Sequence, residues 1–346
     1  MVTHPLLQCS FFDFQQTLTE ELGLEAFRAK QVWEWIFLKQ VFSFAEMTNL
    51  SKATREKLQE RYPKILPPIL DRQKAEDGTF KLAIGLDEAT VVEAVGLPTE
   101  GEDGEEDTLT FCLSTQCGCG VGCRFCRTGS TGLLRNLSAE EIVLQVLMLM
   151  RAAKRKPTNI VFMGMGEPFL NRKALFTAID ILTHQSGLAM ATRRLTISTV
   201  GVPQGILDLA DRPGEVNLAV SLHAADNDTR SRIIPINRQH PLEKIRNAVV
   251  EYLERTKRRV TFEYALLDQI NDQMDHLLNL IQFCEGLLCH VNLVPFNPYP
   301  GSEFRPSKKD TEREFKKALK KAGIPVTVRR SRGASILAGC GQLAGK

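Results

Sequence analysis

The chain has 346 residues, 43% hydrophobic and 25% charged, with a net charge of only +3, which is ordinary for a soluble globular protein. No apolar run reaches the roughly 18 residues needed to span a bilayer. The N-terminus, MVTHPLLQCSFFDF, has no basic segment or small-residue cleavage site, so no signal peptide is expected.

The expected location is therefore the cytoplasm, where thiols stay reduced. Nine cysteines is also an odd number, so a disulfide knot is disfavoured and a metal or redox role leads. Charge is unevenly spread. Residues 99–107 (TEGEDGEED) carry six acids and no base, whereas residues 304–332 hold eleven Lys/Arg against three acids. Such runs are commonly solvated faces, but a basic cluster of this size also suits phosphate contact.

The first 75 residues read as a helical segment. In AFRAKQVWEWIF (26–37), Val32, Trp33, Ile36 and Phe37 recur at helical spacing, and the Trp pair is expected in the core. Ser51 is placed to cap KATREKLQERY, and PKILPP (63–68) ends it. Residues 76–104 follow as a hairpin extension with an acidic loop: TFKLAIGL and ATVVEAVGL alternate around Asp87 and Glu88.

From residue 105 the rhythm becomes strand and helix. Strands are expected at 108–114, 159–165, 194–199, 216–223, 259–267 and 290–297, with a late one at 326–330. Between the first two, SAEEIVLQVLMLMRAA opens with a Ser138/Glu141 capping box and carries an Ile142, Val146, Met150 stripe. Six such units predict an α/β fold of parallel βα type, a barrel or part of one, with functional groups at the carboxyl ends of the strands.

After the first of these strands comes CLSTQCGCGVGCRFCRTG (112–129), with five cysteines. Cys119, Cys123 and Cys126 offer three thiolates on one glycine-bearing loop. Zinc would want a fourth ligand, and no second Cys or His pair supplies one. Thiolates also bind iron–sulfur clusters, and three protein ligands leave one iron open.

CxxxCxxC in this position resembles the signature of radical S-adenosylmethionine enzymes, and MGMGEP (163–168) resembles their Gly-Glu motif. The likeness covers nearly the whole chain. CLSTQ, FMGMGEP, RRLTISTVG, NLAVSLHAA, RSRIIPIN, HVNLVPFNPYPG and AGCGQLAG are similar to motifs of the RlmN/Cfr family of radical-SAM RNA adenine methyltransferases. AFRAKQVWEWIF and FAEMTNLSKATREKL resemble that family's N-terminal RNA-engaging domain.

The resemblance implies a partial (β/α)6 barrel behind a small helical domain and a β-hairpin extension. It implies a [4Fe-4S] cluster on Cys119, Cys123 and Cys126. S-adenosylmethionine would lie against Gly166, Glu167, Ser198, Ser221, Leu222, His223 and Asn297. It also implies two uses of that cofactor per turnover. One molecule methylates a protein thiol, a good nucleophile as thiolate. The second is cleaved to a 5′-deoxyadenosyl radical that activates the S-methyl group for addition to adenine, whose carbon 2 is closed to ordinary methyl transfer. On the family's pattern Cys340, between two glycines, carries the methyl group. Cys112 resolves the protein–RNA adduct, leaving a disulfide to be reduced, and Glu93 accepts the proton. Cys284 and Cys289 are expected in the core.

The substrates implied are adenines of 23S rRNA and of tRNA 3′ of the anticodon. Further expectations are an electron donor such as flavodoxin or ferredoxin, and a monomer that needs no membrane. Two alternatives stand. QCGC (116–119) and the Thr-Gly at 128–129 resemble the family's carbon-8 branch, while Pro168 and VRRSRG (328–333) resemble the carbon-2 branch, which is the reading preferred. A remoter one is a non-catalytic zinc-binding RNA module.

Overall fold

The computed structural model describes residues 6–7, 10–101, 107–329 and 331–345. Cys9, the middle of the acidic stretch and Arg330 lie outside the described residues. Three helices open the chain: α1 (Phe11–Leu22), α2 (Ala26–Phe37) and α3 (Lys52–Arg61). The Ser51 hydroxyl caps α3 by accepting from the Thr54 N–H at 3.1 Å. Val32, Trp33, Ile36 and Phe37 are fully buried, as their spacing predicts. Trp35 corrects the expectation for the pair. It is half-buried at the edge of the core, lies under the Lys39 ammonium at 3.5 Å, and donates to Asn49.

Four strands follow: β1 (Ile69–Lys74), β2 (Phe80–Gly85), β3 (Val91–Thr99) and β4 (Thr108–Cys112), each antiparallel to its neighbour. β1 has no counterpart in the sequence reading. It is an edge strand with five of six residues exposed, so it carries no apolar alternation. A short ribbon, β5 (Gln116–Gly118) with β6 (Leu133–Asn136), stands apart from the main sheet.

From β4 onward the pairing is parallel, through β7 (Asn159–Phe162), β8 (Leu195–Thr199), β9 (Asn217–Ser221), β10 (Val260–Leu266), β11 (Cys289–Pro295) and β12 (Val326–Val328). Parallel neighbours need crossovers, and helices supply them. α4 (Arg127–Ser130) and α5 (Ala139–Ala153) lie between β4 and β7. α6 (Arg172–Thr183) precedes β8, and α7 (Pro203–Asp211) precedes β9. α8 (Asn227–Ile233) and α9 (Leu242–Thr256) precede β10, α10 (Met274–Cys284) β11, and α11 (Lys309–Lys321) β12. The Ser138/Glu141 capping box of α5 is formed in both directions. Among the described residues β1 and β12 are the two edges of this ten-stranded sheet, so the barrel is partial, as the resemblance implies.

One buried apolar cluster runs from α1 and α2 through the barrel helices. The Phe11 ring is 4.4 Å from that of His184, which follows α6, and the Leu7 N–H donates to Glu140 Oε1 of α5 at 2.8 Å. Trp33 is the largest fully buried side chain of this junction, edge-on to Phe11 and Phe14 and beside Phe37. Trp33→Ala is expected to cost about 3–5 kcal/mol, read as a lower urea midpoint of the metal-free protein. An unchanged midpoint would contradict the shared core.

Candidate active site

Every parallel strand releases its chain at the same rim, so the segments that follow the strands meet there. They enclose a cavity of about 390 Å³. Its wall includes Cys112, Cys119, Cys123, Cys126, Gly166, Glu167, Ser198, Ser221, His223, Asn297 and Cys340, which the sequence scatters over 229 positions. Leu222 and Glu93 are not in the wall. The Leu222 side chain is fully buried and its N–H donates to the Glu263 carbonyl.

The ribbon β5–β6 fixes the base of the cysteine loop. Gly118 adopts φ +72°, and a Cβ there would lie 1.9 Å from the Gly132 carbonyl oxygen, so only glycine fits. The next residue, Cys119, donates its N–H to that oxygen at 2.8 Å. Cys117 points the other way, its thiol 3.5 Å from the Val91 carbonyl within the main core, so it is a packing residue. Gly129 backs onto the loop, since a Cβ would lie 2.6 Å from the Cys123 carbonyl oxygen.

Burial raises all three loop thiols. It pushes Cys119 up to about 12, and the neighbouring Cys126 adds to that shift; Cys126 and Cys119 both raise Cys123 further. Iron bonds would replace this mutual repulsion. Among the described residues no three His, Cys, Asp or Glu side chains converge on a single ion. Cluster thiolates each bind a different iron and need not converge. The loop thus fits a cluster and does not fit a closed zinc site, which needs four ligands on one ion.

After β7, Gly166 (φ +100°) passes so close to Gln116 that a Cβ would lie 2.5 Å from its side chain. Gln116 Oε1 in turn accepts the Glu167 N–H at 2.8 Å. The Glu167 carboxylate accepts from the Phe169 and Val200 N–H groups at 3.0 and 2.8 Å. Burial nevertheless pushes it up to about 7. Ser198 and Ser221, at the ends of β8 and β9, have hydroxyls 3.3 Å apart. His223 (φ +55°) accepts the Ala265 N–H on Nδ1 at 2.9 Å, which leaves Nε2 as the protonated donor. Burial lowers the imidazole to about 3, so it is neutral.

Two arginines, buried Arg230 and half-buried Arg329, escaped the sequence reading. Arg230 donates to the Leu222 carbonyl at 3.0 Å, Asn237 Oδ1 at 2.7 Å and the Ser221 carbonyl at 3.2 Å, and also to the Val200 carbonyl. It ties together the segments after β8 and β9, and burial lowers it to about 10. Its only trace in the sequence is the RSRIIPIN motif. Arg329 follows β12 and enters the cavity, where electrostatic attraction to Cys340, and less to Glu263 and Cys112, raises it. This corrects the expectation that residues 304–332 form one phosphate-facing surface. Arg329 is turned inward, and Arg332 donates to the Pro98 carbonyl. The surface role is left to α11, which buries only Phe315 and Leu319.

Cys112 ends β4. Burial pushes its thiol up to about 12, with Cys340 adding to the shift and Arg329 opposing it. Cys340 itself is exposed at the cavity. Glu93 lies behind the C-terminal segment: Lys81 Nζ is 2.8 Å from its Oε1, and its Oε2 accepts the Ala344 and Gly345 N–H groups at 2.6 and 3.2 Å. Cys284 and Cys289 are buried as expected.

Comparison with known proteins agrees with this geometry. The Radical SAM superfamily profile matches residues 113–281, and that of the ribosomal RNA large subunit methyltransferase N-terminal domain matches residues 11–63. The chain is 42% identical to the probable dual-specificity RNA methyltransferase RlmN of Fervidobacterium nodosum, over 96% of this chain and 95% of that one. It is 42% identical to the RlmN of Halorhodospira halophila, over 94% and 90% of the two chains. A crystal structure of a radical SAM methyltransferase from Sphaerobacter thermophilus superposes with a TM-score of 0.93 at 39% identity, covering 99% of each chain.

Anaerobic reconstitution with iron and sulfide is expected to load about four irons per chain. Cys119→Ala, Cys123→Ala and Cys126→Ala are each expected to abolish that loading. Full iron content in any of the three, by metal analysis, would remove that residue from the ligand set.

Proposed function

The chain belongs to the RlmN family of radical-SAM RNA methyltransferases, and on that premise we propose that it methylates carbon 2 of adenine in 23S rRNA and in tRNA. The observation that carries the reading is the single cavity wall shared by three loop thiols, the strand-end residues, and the two further thiols Cys112 and Cys340. The family's cofactors are a [4Fe-4S] cluster and S-adenosylmethionine, two molecules per turnover; bound together they supply one-electron cleavage of the cofactor.

Each residue has a role that its surroundings support. Cys119, Cys123 and Cys126 hold the cluster. Gly166, free of a Cβ that would strike Gln116, lets the loop after β7 close up beside the cofactor. Glu167 takes the cofactor's amino group, and Ser198, Ser221, the Leu222 backbone, neutral His223 and Asn297 supply hydrogen bonds around it. Cys340, exposed on its loop, accepts and carries the methyl group. Cys112 is held as a thiol by burial until Arg329 helps it attack, and Glu93 accepts the proton from the adenine ring.

The Lys/Arg face of α11 supplies the phosphate contacts. The target base is unstacked to reach the cavity, since carbon 2 lies on a base edge. The three units expected from the sequence, 1–75, 76–104 and 105–346, divide these tasks between RNA engagement, a hairpin that brings in Glu93, and catalysis. Among the described residues no helix is long and apolar enough to cross a membrane. We place the enzyme in the cytoplasm as a monomer, reduced by a small one-electron carrier such as a flavodoxin or ferredoxin.

The test is mass spectrometry of RNA nucleosides after incubation with the reconstituted enzyme. The expected product is 2-methyladenosine, and 8-methyladenosine alone would overturn the regiochemistry. Cys340→Ala is expected to keep its iron and form no methyladenosine; turnover by that variant would exclude a methyl carrier at this position.

A second expectation concerns pH. Glu167 is raised, so its carboxyl is neutral below about 7 and charged above it. Affinity of the cluster-loaded enzyme for S-adenosylmethionine is therefore expected to fall about tenfold from roughly pH 8 to roughly pH 6. Equilibrium dialysis across that window checks it, and a flat profile would count against Glu167 as the ligand of the amino group.

A further inference from the structure

The segment that bears Cys340 is a wall of the cavity, and its placement rests on a small set of contacts. The Arg127 N–H, one residue after the cluster ligand Cys126, donates to the Gly341 carbonyl at 2.7 Å. The Thr128 hydroxyl donates to the Leu343 carbonyl at 2.7 Å, and Thr128 is buried. Gln342 spans the loop, its Nε2 donating to the Pro298 carbonyl at 2.7 Å and its Oε1 accepting the Gly339 N–H at 3.0 Å. Asn297 Nδ2 donates to the Cys340 carbonyl at 3.3 Å. The far end is fastened by the Ala344 and Gly345 N–H groups on Glu93 Oε2.

That last contact conflicts with the other role of Glu93. A carboxylate offers about four acceptor positions. Lys81 and two backbone N–H groups already take three of them, and the side chain is covered. While the segment is docked the fourth position is buried with the rest of the side chain, so Glu93 presents no oxygen to a base. One carboxylate therefore serves two partners in turn.

We propose that Thr128, Gln342 and Glu93 form a latch that docks the Cys340 segment beside the cluster loop, and that RNA entry releases it and uncovers Glu93. Thr128 and Gln342 are positioning residues: they act on Cys340 through the backbone that carries it. Docked, the thiol is held beside the loop of Cys126 for methyl loading. Released, the segment frees the thiol to approach the base and vacates the oxygen that takes the proton. The inference rests on the reading of Glu93 as the proton acceptor.

The test is amide hydrogen exchange at Ala344 and Gly345 in the anaerobic, cluster-loaded enzyme, with and without a tRNA carrying the target adenine. Without RNA, Thr128→Val is expected to speed exchange about fivefold, the worth of one neutral hydrogen bond, while Thr128→Ser keeps the slow rate. Glu93→Gln is expected to speed it about tenfold, through loss of a charge-assisted acceptor. Adding tRNA is expected to speed exchange in the unmodified enzyme. Unchanged exchange in both Thr128→Val and Glu93→Gln would remove the latch. Protection that persists with tRNA bound while methylation proceeds would remove the release step. Loss of methylation in Glu93→Gln with slow exchange intact would leave the proton acceptor standing and overturn the latch. Fast exchange with methylation intact would do the reverse.

Discussion

The parallel register of β4 and β7 through β11 is the constraint on which the rest depends. A parallel pair forces the chain to leave each strand at one rim and return by a helix to the other. Six returns deliver six loops to the same place, whatever their sequences. The residues of the site come from positions 112 to 340, yet apart from Cys340, in the C-terminal segment, each lies close to a strand end. Arg230 makes this convergence permanent. Its guanidinium donates to carbonyls after β8 and β9, so adjacent loops are joined by a charge that is costly to bury and more costly to leave unpaired.

Legibility followed the physics of each element. Buried residues alternate with half-buried ones along β4, β7, β8 and β11, so these strands read as short apolar alternations, and the α5 capping box declares its own start. The three cluster thiols were legible because their CxxxCxxC spacing resembles the radical-SAM signature. Cys117 carries no local mark that separates it from the thiols beside it, and its contact with Val91 shows that it packs. β1 was silent because an exposed edge strand has no pattern to read. Arg329 was misread as surface because a basic run has no periodicity that marks one member as turned inward. The positions assigned to Glu93 and Cys340 came from resemblance alone, since a carboxylate in a hairpin and a thiol in a glycine tail carry no local signature.

The electrostatic design is lopsided. The cavity wall holds several thiols raised by burial, one carboxyl raised to about 7 and a neutral histidine. Among them is the half-buried Arg329 guanidinium, which stays charged at any physiological pH, while buried Arg230 lies outside that wall. Burial therefore favours the neutral forms of the thiols, the carboxyl and the histidine, and the Arg329 charge opposes that shift at Cys112.

The single apolar core that joins the N-terminal helices to the barrel has a mechanical consequence. Trp33, Phe11 and His184 interlock across the junction, and Leu7 is tied to α5. Whatever those helices grip is held at a fixed distance from the cavity, as on a ruler. An RNA that touched both those helices and the cavity would have to bring its base in by unstacking, since the packing between the two is continuous.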